Sequence, residues 1–220
     1  MEPALKTQGE VIIEAMNLLA YDAMALGDLD LRLGPEVLRQ RIAEAKFPIL
    51  SANVAIAATG ELLAQPYFIR KIGGHSVGII GLTSDLAKLT LGEAGQPYTI
   101  LHASDVLPKY VAELGAKTDV IIVLSTMGLD EDQRLSRQVT GIDLIVGGRT
   151  GVELEHGWAN EQTGTIVAQA ALKGKVLGRC ALHLDSGGAV TEHSCELFSL
   201  TDEYADDLEM VSFLDNYPVE

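Results

Sequence analysis

The stretch TDVIIVLSTMGLDEDQRLSRQVTGIDLIVGGRTG, residues 118–151, contains two apolar runs separated by a polar, helix-like segment. Asp119 to Ser125 is apolar at every interior position, the pattern of a strand buried on both faces. Asp130 is placed to cap a helix running to about Val139. Ile142 to Gly148 is a second buried run that breaks into Gly147-Gly148-Arg149-Thr150-Gly151. Strand, helix and strand in this order predict parallel pairing across a helical crossover, and therefore an α/β fold.

The pattern extends on both sides. Residues 10–20 carry apolar groups near a 3.6 period, predicting a helix, and Ala23–Gly27 reads as a short buried strand. Pro35–Ala45 reads as a helix with proline in its first turn, and Phe47–Ala55 as one strand. Tyr67–Thr83 reads as a hairpin turning at Gly73-Gly74. Ser104 is expected to cap a helix to Leu114, with Pro108 in its first turn. After residue 164 the pattern changes to three strands without intervening helices, and Thr201 or Asp202 is expected to open a terminal helix over 201–217. No repeat, low-complexity tract or linker interrupts the chain, so 1–220 is expected to form a single α/β sandwich with mixed sheets.

The 220 residues are 47% hydrophobic, enough for a sizeable core, and carry a net charge of −15. An acidic surface of this kind excludes nucleic acid and anionic membrane as main partners. No apolar run reaches the roughly 18 residues of a spanning helix, and the first residues lack a signal-peptide pattern. The two cysteines, Cys180 and Cys195, flank a turn-like DSGG, Asp185–Gly188. A four-residue hairpin loop there is read as setting them face to face, whereas other registers put His193 or Ser194 opposite Cys180, so a disulfide is left open. No Cys/His spacing suggests zinc.

In α/β sheets, sites form at the carboxyl ends of strands. Three such ends break into glycine-containing loops: Leu26–Gly34, Leu124–Asp132 and Val146–Gly151. These segments carry a resemblance. Met16–Val54, with Met-Asn, Tyr-Asp-Ala and Ser-Ala-Asn, is similar to the 5′-nucleotidase branch of the calcineurin-like metallophosphoesterases. Thr118–Gly151 resembles that branch's strand ending Leu-Ser-His-x-Gly, its helix, and its strand ending Gly-Gly-His-x-His. Ile166–Asp185 resembles the strands that follow. The likeness spans about Gly9 to Tyr217. It implies a metallophosphoesterase-like sandwich whose usual N-terminal strands and C-terminal nucleotide domain have no counterpart in these residues, and a periplasmic or extracellular setting.

The resemblance also implies a site holding two divalent metals, which clamp phosphate and activate a water. Here Asp28 stands where the family has a bridging asparagine, Leu29 where it has the leaving-group histidine, and Thr126, Arg149 and Gly151 where it has metal-binding histidines. Of these only Asp28 retains a metal ligand's chemistry. Uncatalysed phosphate-ester hydrolysis demands barrier reductions of ~20 kcal/mol or more, which leucine, threonine, arginine and glycine do not supply. A vestigial site is therefore expected over Asp28, Leu29, Asp30, Thr126, Arg149 and Gly151, with no metal and no cofactor. Two readings of its charge are carried forward. Arg149 pairs with Asp28 or Asp30 and fills the metal space, or Arg149, Thr150, Thr126 and the Gly147 and Gly148 amides form an anion pocket. Asp28, Asp30 and Asp130–Asp132 offer oxygens to a lone Ca²⁺ or Mg²⁺, against the simpler reading of helix capping and a solvated face. His75, His183 and His193 read as turn or hairpin residues, and Trp158 as either a packing anchor or a partner contact in a long loop.

The functional expectation is a non-catalytic domain with a structural or partner-binding role in a larger assembly. A protein partner or homo-oligomer is expected over strand edges left open by the missing strands. The alternative is a phosphoric-ester hydrolase of the 5′-nucleotidase type, metal-free or completed by another polypeptide.

Overall fold

The computed structural model describes residues 2–217. In chain order the strands are β1 (Met24–Ala25), β2 (Ile49–Leu50), β3 (Val54–Ile56), β4 (Tyr67–Ile72), β5 (His75–Leu82), β6 (Tyr98–Ile100), β7 (Val120–Ser125), β8 (Leu144–Gly147), β9 (Trp158–Ala159), β10 (Ile166–Gln169), β11 (Val176–Leu184) and β12 (Val190–Ser199). The α-helices are α1 (Glu2–Lys6), α2 (Glu10–Leu18), α3 (Gly34–Glu44), α4 (Ala87–Leu91), α5 (Ala103–Gly115), α6 (Leu129–Gln138) and α7 (Leu208–Leu214). A six-stranded sheet in the order β4-β5-β7-β8-β10-β9 forms the centre. Its inner strands β5, β7, β8 and β10 are parallel, and β4 and β9 close the edges antiparallel.

The apolar run of β7 explains this placement. Alternate residues of a strand face opposite sides. Ile121 and Val123 pack with Ile80, Leu82, Ile145 and Val167 against Leu107, Val111 and Leu114 of α5 and Leu135 of α6. Ile122 and Leu124 point the other way, toward Leu50, Leu182 and Leu184 in a second layer. On that side lie the parallel pair β1–β2 and the hairpin β11–β12, while β3 and β6 form a separate antiparallel pair. A further core joins α2 and α3 to residues 47–64 and Tyr98. The architecture is the mixed α/β sandwich that the sequence predicts.

Several local expectations are corrected. Phe47–Ala55 is not one strand. The chain leaves β2 at Ser51 and re-enters pairing at Val54, because Ser51 and Asn53 turn inward and are fully buried in a hydrogen-bonded knot. Asn53 Nδ2 donates to the Thr83 and Leu101 carbonyls, its Oδ1 accepts the Thr83 N–H, and Ser51 and Thr83 share a hydroxyl bond at 2.9 Å. Thr83 Oγ1 donates to the Leu26 carbonyl at 2.8 Å. Helix α5 begins at Ala103, whose N–H donates to the Asp85 carboxylate rather than relying on Ser104. Asp130 lies inside the first turn of α6, and the Leu129 N–H donates to Thr150 Oγ1 instead. The terminal helix is shorter than 201–217 because Asp207 caps it, accepting the Met210 N–H at 2.9 Å. Residues 201–206 form a turn and irregular chain.

The two cysteines form a disulfide across the hairpin, Cys180 opposite Cys195. The register arises differently from expectation. An unbroken four-residue loop would set Cys180 against His193. Instead Leu184 pairs with Val190, and a bulge between His183 and Leu184 slips the ladder further, bringing the cysteines together. Trp158 is not in an unstructured loop. It lies on β9, packs against the main core, and carries the Arg137 guanidinium 5.4 Å from its ring centre.

Gly81 on β5 marks the tightest contact between the layers. A Cβ there would sit 2.4 Å from Leu50 Cβ and 2.6 Å from the Leu50 carbonyl oxygen. The close approach allows the Ala52 N–H to donate to the Gly81 carbonyl at 2.8 Å. Gly81→Ala is expected to overpack this contact by about 1–3 kcal/mol, lowering the thermal midpoint by roughly 2–10 °C. Calorimetry checks it, with Gly74→Ala excluded as a control because of its positive φ and Gly115→Ala, which meets no neighbour, included.

Candidate functional site

The carboxyl ends of β1, β5, β7 and β8 converge, one strand end more than the sequence indicates. The loop after β5, Thr83–Asp85, supplies the addition: it holds Ser84, which lacks any motif. Parallel strands place their carboxyl ends on one side of a sheet, and the buried knot at Asn53 and Thr83 brings the β1 loop onto the same side.

Arg149 crosses this junction. Its Nη2 lies 3.3 Å from Asp28 Oδ2, and its Nη1 donates to Ser84 Oγ at 2.9 Å. Asp28 Oδ2 also accepts from Thr90 Oγ1 at 3.0 Å. The guanidinium therefore ties together loops from both layers. Arg149 has φ 76°, a left-handed conformation that L-residues with a β-carbon adopt at a cost of roughly 1–2 kcal/mol. The side-chain contacts to Asp28 and Ser84 offset that cost.

The other predicted positions separate into engaged and solvent-facing groups. Asp30 accepts the Gly27 N–H at 2.8 Å. Burial pushes its carboxyl above the ordinary aspartate range, the Gly27 hydrogen bond opposes this, and the Asp28 charge adds to the rise. Leu29 is 64% exposed and stands just before the short 3₁₀ turn Asp30–Leu33. The Thr126 N–H donates to the Leu82 carbonyl, while Thr126 Oγ1 accepts the Ser84 N–H at 3.2 Å and lies 3.3–3.4 Å from the Leu82 and Leu26 carbonyls. Gly151 lies against Leu172, where a Cβ would come within 3.1 Å of a methyl carbon.

Of the anion-pocket set, Gly147 belongs to β8, paired with Ser125 on one side and Gln169 on the other. Thr150 Oγ1 donates to Gln169 Oε1 at 3.0 Å, and Gln169 Nε2 donates to the Thr150 and Val152 carbonyls. Gly148 accepts the Thr150 N–H through its carbonyl. Thr150 and Gln169 thus spend their side-chain hydrogen bonds on each other and on the loop backbone.

Asp132 departs most from its sequence reading. It is fully buried beneath the ends of β7 and β8, not on a solvated face. Ser125 Oγ donates to its Oδ1 at 2.5 Å and in turn accepts the Met127 N–H. Its Oδ2 has no hydrogen-bond partner among the described residues. Burial pushes the carboxyl up to about 7, against the Ser125 hydrogen bond. The amphipathic spacing of α6, with Leu135 and Ser136 on the buried side, is the sequence signal that places Asp132 inward.

A pair of divalent ions requires several anionic or neutral donors converging on each cation. Among the described residues no group of three or more His, Cys, Asp or Glu side chains is arranged to hold a metal ion. Arg149 places a permanent cation against Asp28, Thr126 Oγ1 is engaged with backbone groups, and Gly151 has no donor side chain. The residues present do not fit the two-metal centre implied by the resemblance.

The Arg149–Asp28 pair is partly shielded from solvent. A double-mutant cycle with Arg149→Ala and Asp28→Ala, read by urea unfolding, is expected to give a coupling of about 1 kcal/mol. A coupling of zero would show that the pair does not hold the loops together.

No protein-family model matches the chain. It is 30% identical over 225 residues to the snake venom 5′-nucleotidase of Crotalus adamanteus, covering 92% of this chain and 38% of the venom protein. The chain therefore spans well under half the length of that relative. Its structure matches the 5′-nucleotidase precursor from Thermus thermophilus with a TM-score of 0.90 at 30% identity, over 98% of this chain and 46% of that one. It also matches the calcineurin-like phosphoesterase YfkN from Bacillus subtilis with a TM-score of 0.83, a likeness of fold at 24% identity that covers 98% of this chain and 78% of that one. By sequence and by fold, the chain belongs with the 5′-nucleotidases and calcineurin-like phosphoesterases.

Proposed function

We propose that this phosphoesterase-family domain is non-catalytic and serves a structural or partner-binding role. The Arg149–Asp28 pair, with Ser84 and Thr90 around it, carries the reading. It places a cation and its counter-ion at positions that the resemblance assigns to metal ligands. Asp28, Leu29, Asp30, Thr126, Arg149 and Gly151 are then a vestigial site, retained as a structural junction. Leucine, arginine and glycine at these positions offer neither donor atoms for a Lewis-acid metal nor an acid for the leaving group, both of which phosphate-ester cleavage needs.

The binding half of the proposal is supported by the second layer. Among the described residues β1 pairs only with β2. On the face of the central sheet away from α5 and α6, Ile122 and Leu124 are only partly buried and Val146, paired beside Leu124, is 39% exposed. Central strands of a parallel sheet are ordinarily covered on both faces, and a free strand edge recruits pairing. A protein partner or a second copy of the chain fits the exposed part of this face around Val146. A net charge of −15 disfavours nucleic acid in that role.

A second reading, a phosphoric-ester hydrolase of the 5′-nucleotidase type, metal-free or completed by another polypeptide, is favoured by the names of its relatives. Steady-state assays with nucleoside 5′-monophosphates and a chromogenic phosphodiester in Mn²⁺ separate the two. The non-catalytic reading requires rates equal to those of Mn²⁺ buffer. Protein-dependent turnover that disappears in Asp28→Ala would establish the hydrolase.

A further inference from the structure

Asp132 is buried, half-satisfied and in contact with the strand end that carries Arg149. Its Oδ2 lies only 2.5 Å from where a Cβ on Gly147 would stand. Its Oδ1 takes the Ser125 hydroxyl, which fixes the turn into Met127. One carboxyl group thus touches the last residues of both β7 and β8. Immediately beyond Gly147 come Gly148, the left-handed Arg149, and Thr150, which caps α6. Asp132 is on α6 itself, so helix, strand ends and loop close a small ring around it.

We propose that Asp132 is a proton-operated latch: with a neutral carboxyl it holds the end of β8 and the Gly148–Gly151 loop in place, and with an ionised carboxyl it releases them. An ionised carboxylate at this position would be sealed from water with one hydrogen bond and an unpartnered oxygen against Gly147, an arrangement that strongly disfavours the closed form. The groups set against it are neutral: Ser125 on β7, Gly147 on β8, and Gln169 on β10, whose Oε1 lies 3.3 Å from the same Gly147 position. The charge that reaches Asp132 is Glu131 on its own helix, which also favours the neutral form. Glu131 is held by Arg134.

The direction of the pH effect follows from linkage. The closed state holds the Asp132 proton more tightly than an open, solvated state does. The latch's contribution is therefore complete below the ordinary aspartate range of about 3.9, diminishes above it, and is lost as pH rises through about 7.

Amide hydrogen exchange of the full chain between pH 5.5 and 8.5, corrected for intrinsic chemical exchange, tests this. Protection of the Leu144–Val152 segment is expected to fall by up to about tenfold per pH unit above the ordinary aspartate range until the closed-state carboxyl ionises near the top of its titration. Protection of the β4–β5 hairpin is expected to stay flat over the same range. Asp132→Asn, which keeps an acceptor for Ser125 but cannot ionise, is expected to flatten the Leu144–Val152 profile. Ser125→Ala removes the hydrogen bond that favours the carboxylate, and is expected to move the end of the transition to higher pH. In the unmutated chain, a ¹³C titration of the Asp132 carboxyl provides a reading that does not depend on either variant folding. A carboxyl already ionised at pH 5, or an identical exchange profile in Asp132→Asn, would overturn the latch.

Discussion

The buried knot of Asn53, Ser51 and Thr83 sets the geometry from which the rest of the site follows. Thr83 directly follows β5 of the central sheet, and Ser51 and Asn53 lie between β2 and β3. Their side chains exchange hydrogen bonds with one another and with the carbonyls of Leu26 and Leu101. Such a network is strong when complete, because each member left unpaired would cost about 1–3 kcal/mol in a dry interior. It therefore fixes the β1 loop over the ends of β5 and β7 within narrow limits. Gly81 permits the approach by leaving no side chain between β5 and Leu50.

On that frame Arg149 acts as a strut. It joins Asp28 from the second layer to Ser84 and to the end of β8 in the first. A guanidinium and a carboxylate meet between the strand ends, at the expense of a left-handed backbone at Arg149. The glycines around it retain a structural purpose: Gly147 leaves room for the Asp132 carboxyl, and Gly148 passes 3.4 Å from the Ser125 carbonyl when a Cβ is placed on it. The loop's shape is thus supported by packing beneath it as well as by the ion pair above it.

Much of this is legible in the sequence, and the reasons differ by element. The continuous apolar run of β7 and the polar α6 leave little choice but a parallel crossover, and the Gly73-Gly74 hairpin turns where two residues with positive φ stand together. Arg149 beside Asp28 or Asp30 follows from charge alone once the strand ends are brought together, and the choice of Asp28 does not, because it depends on Gly27 satisfying Asp30. The helix caps escape a local reading because Asp85 and Thr150 act from distant segments, which no nearby pattern of Ser, Thr or Asp reveals. The split of Phe47–Ala55 is hidden for a related reason: a polar residue reads as exposed until tertiary partners are known. Asp132 reads as part of a solvated face on the same ground, although the spacing of α6 sets it on the side of Leu135 and Ser136. The cystine register depends on a single bulge, which shifts every pair beyond it.

Metal binding by the 220-residue chain tests the central claim most directly. Elemental analysis of protein prepared in Mn²⁺ and then desalted, combined with calorimetric titration of Mn²⁺, is predicted to show no stoichiometric metal and no saturable heat. Two bound ions per chain, seated beside Asp28, Thr126 and Arg149, would contradict the closure of this space by an arginine.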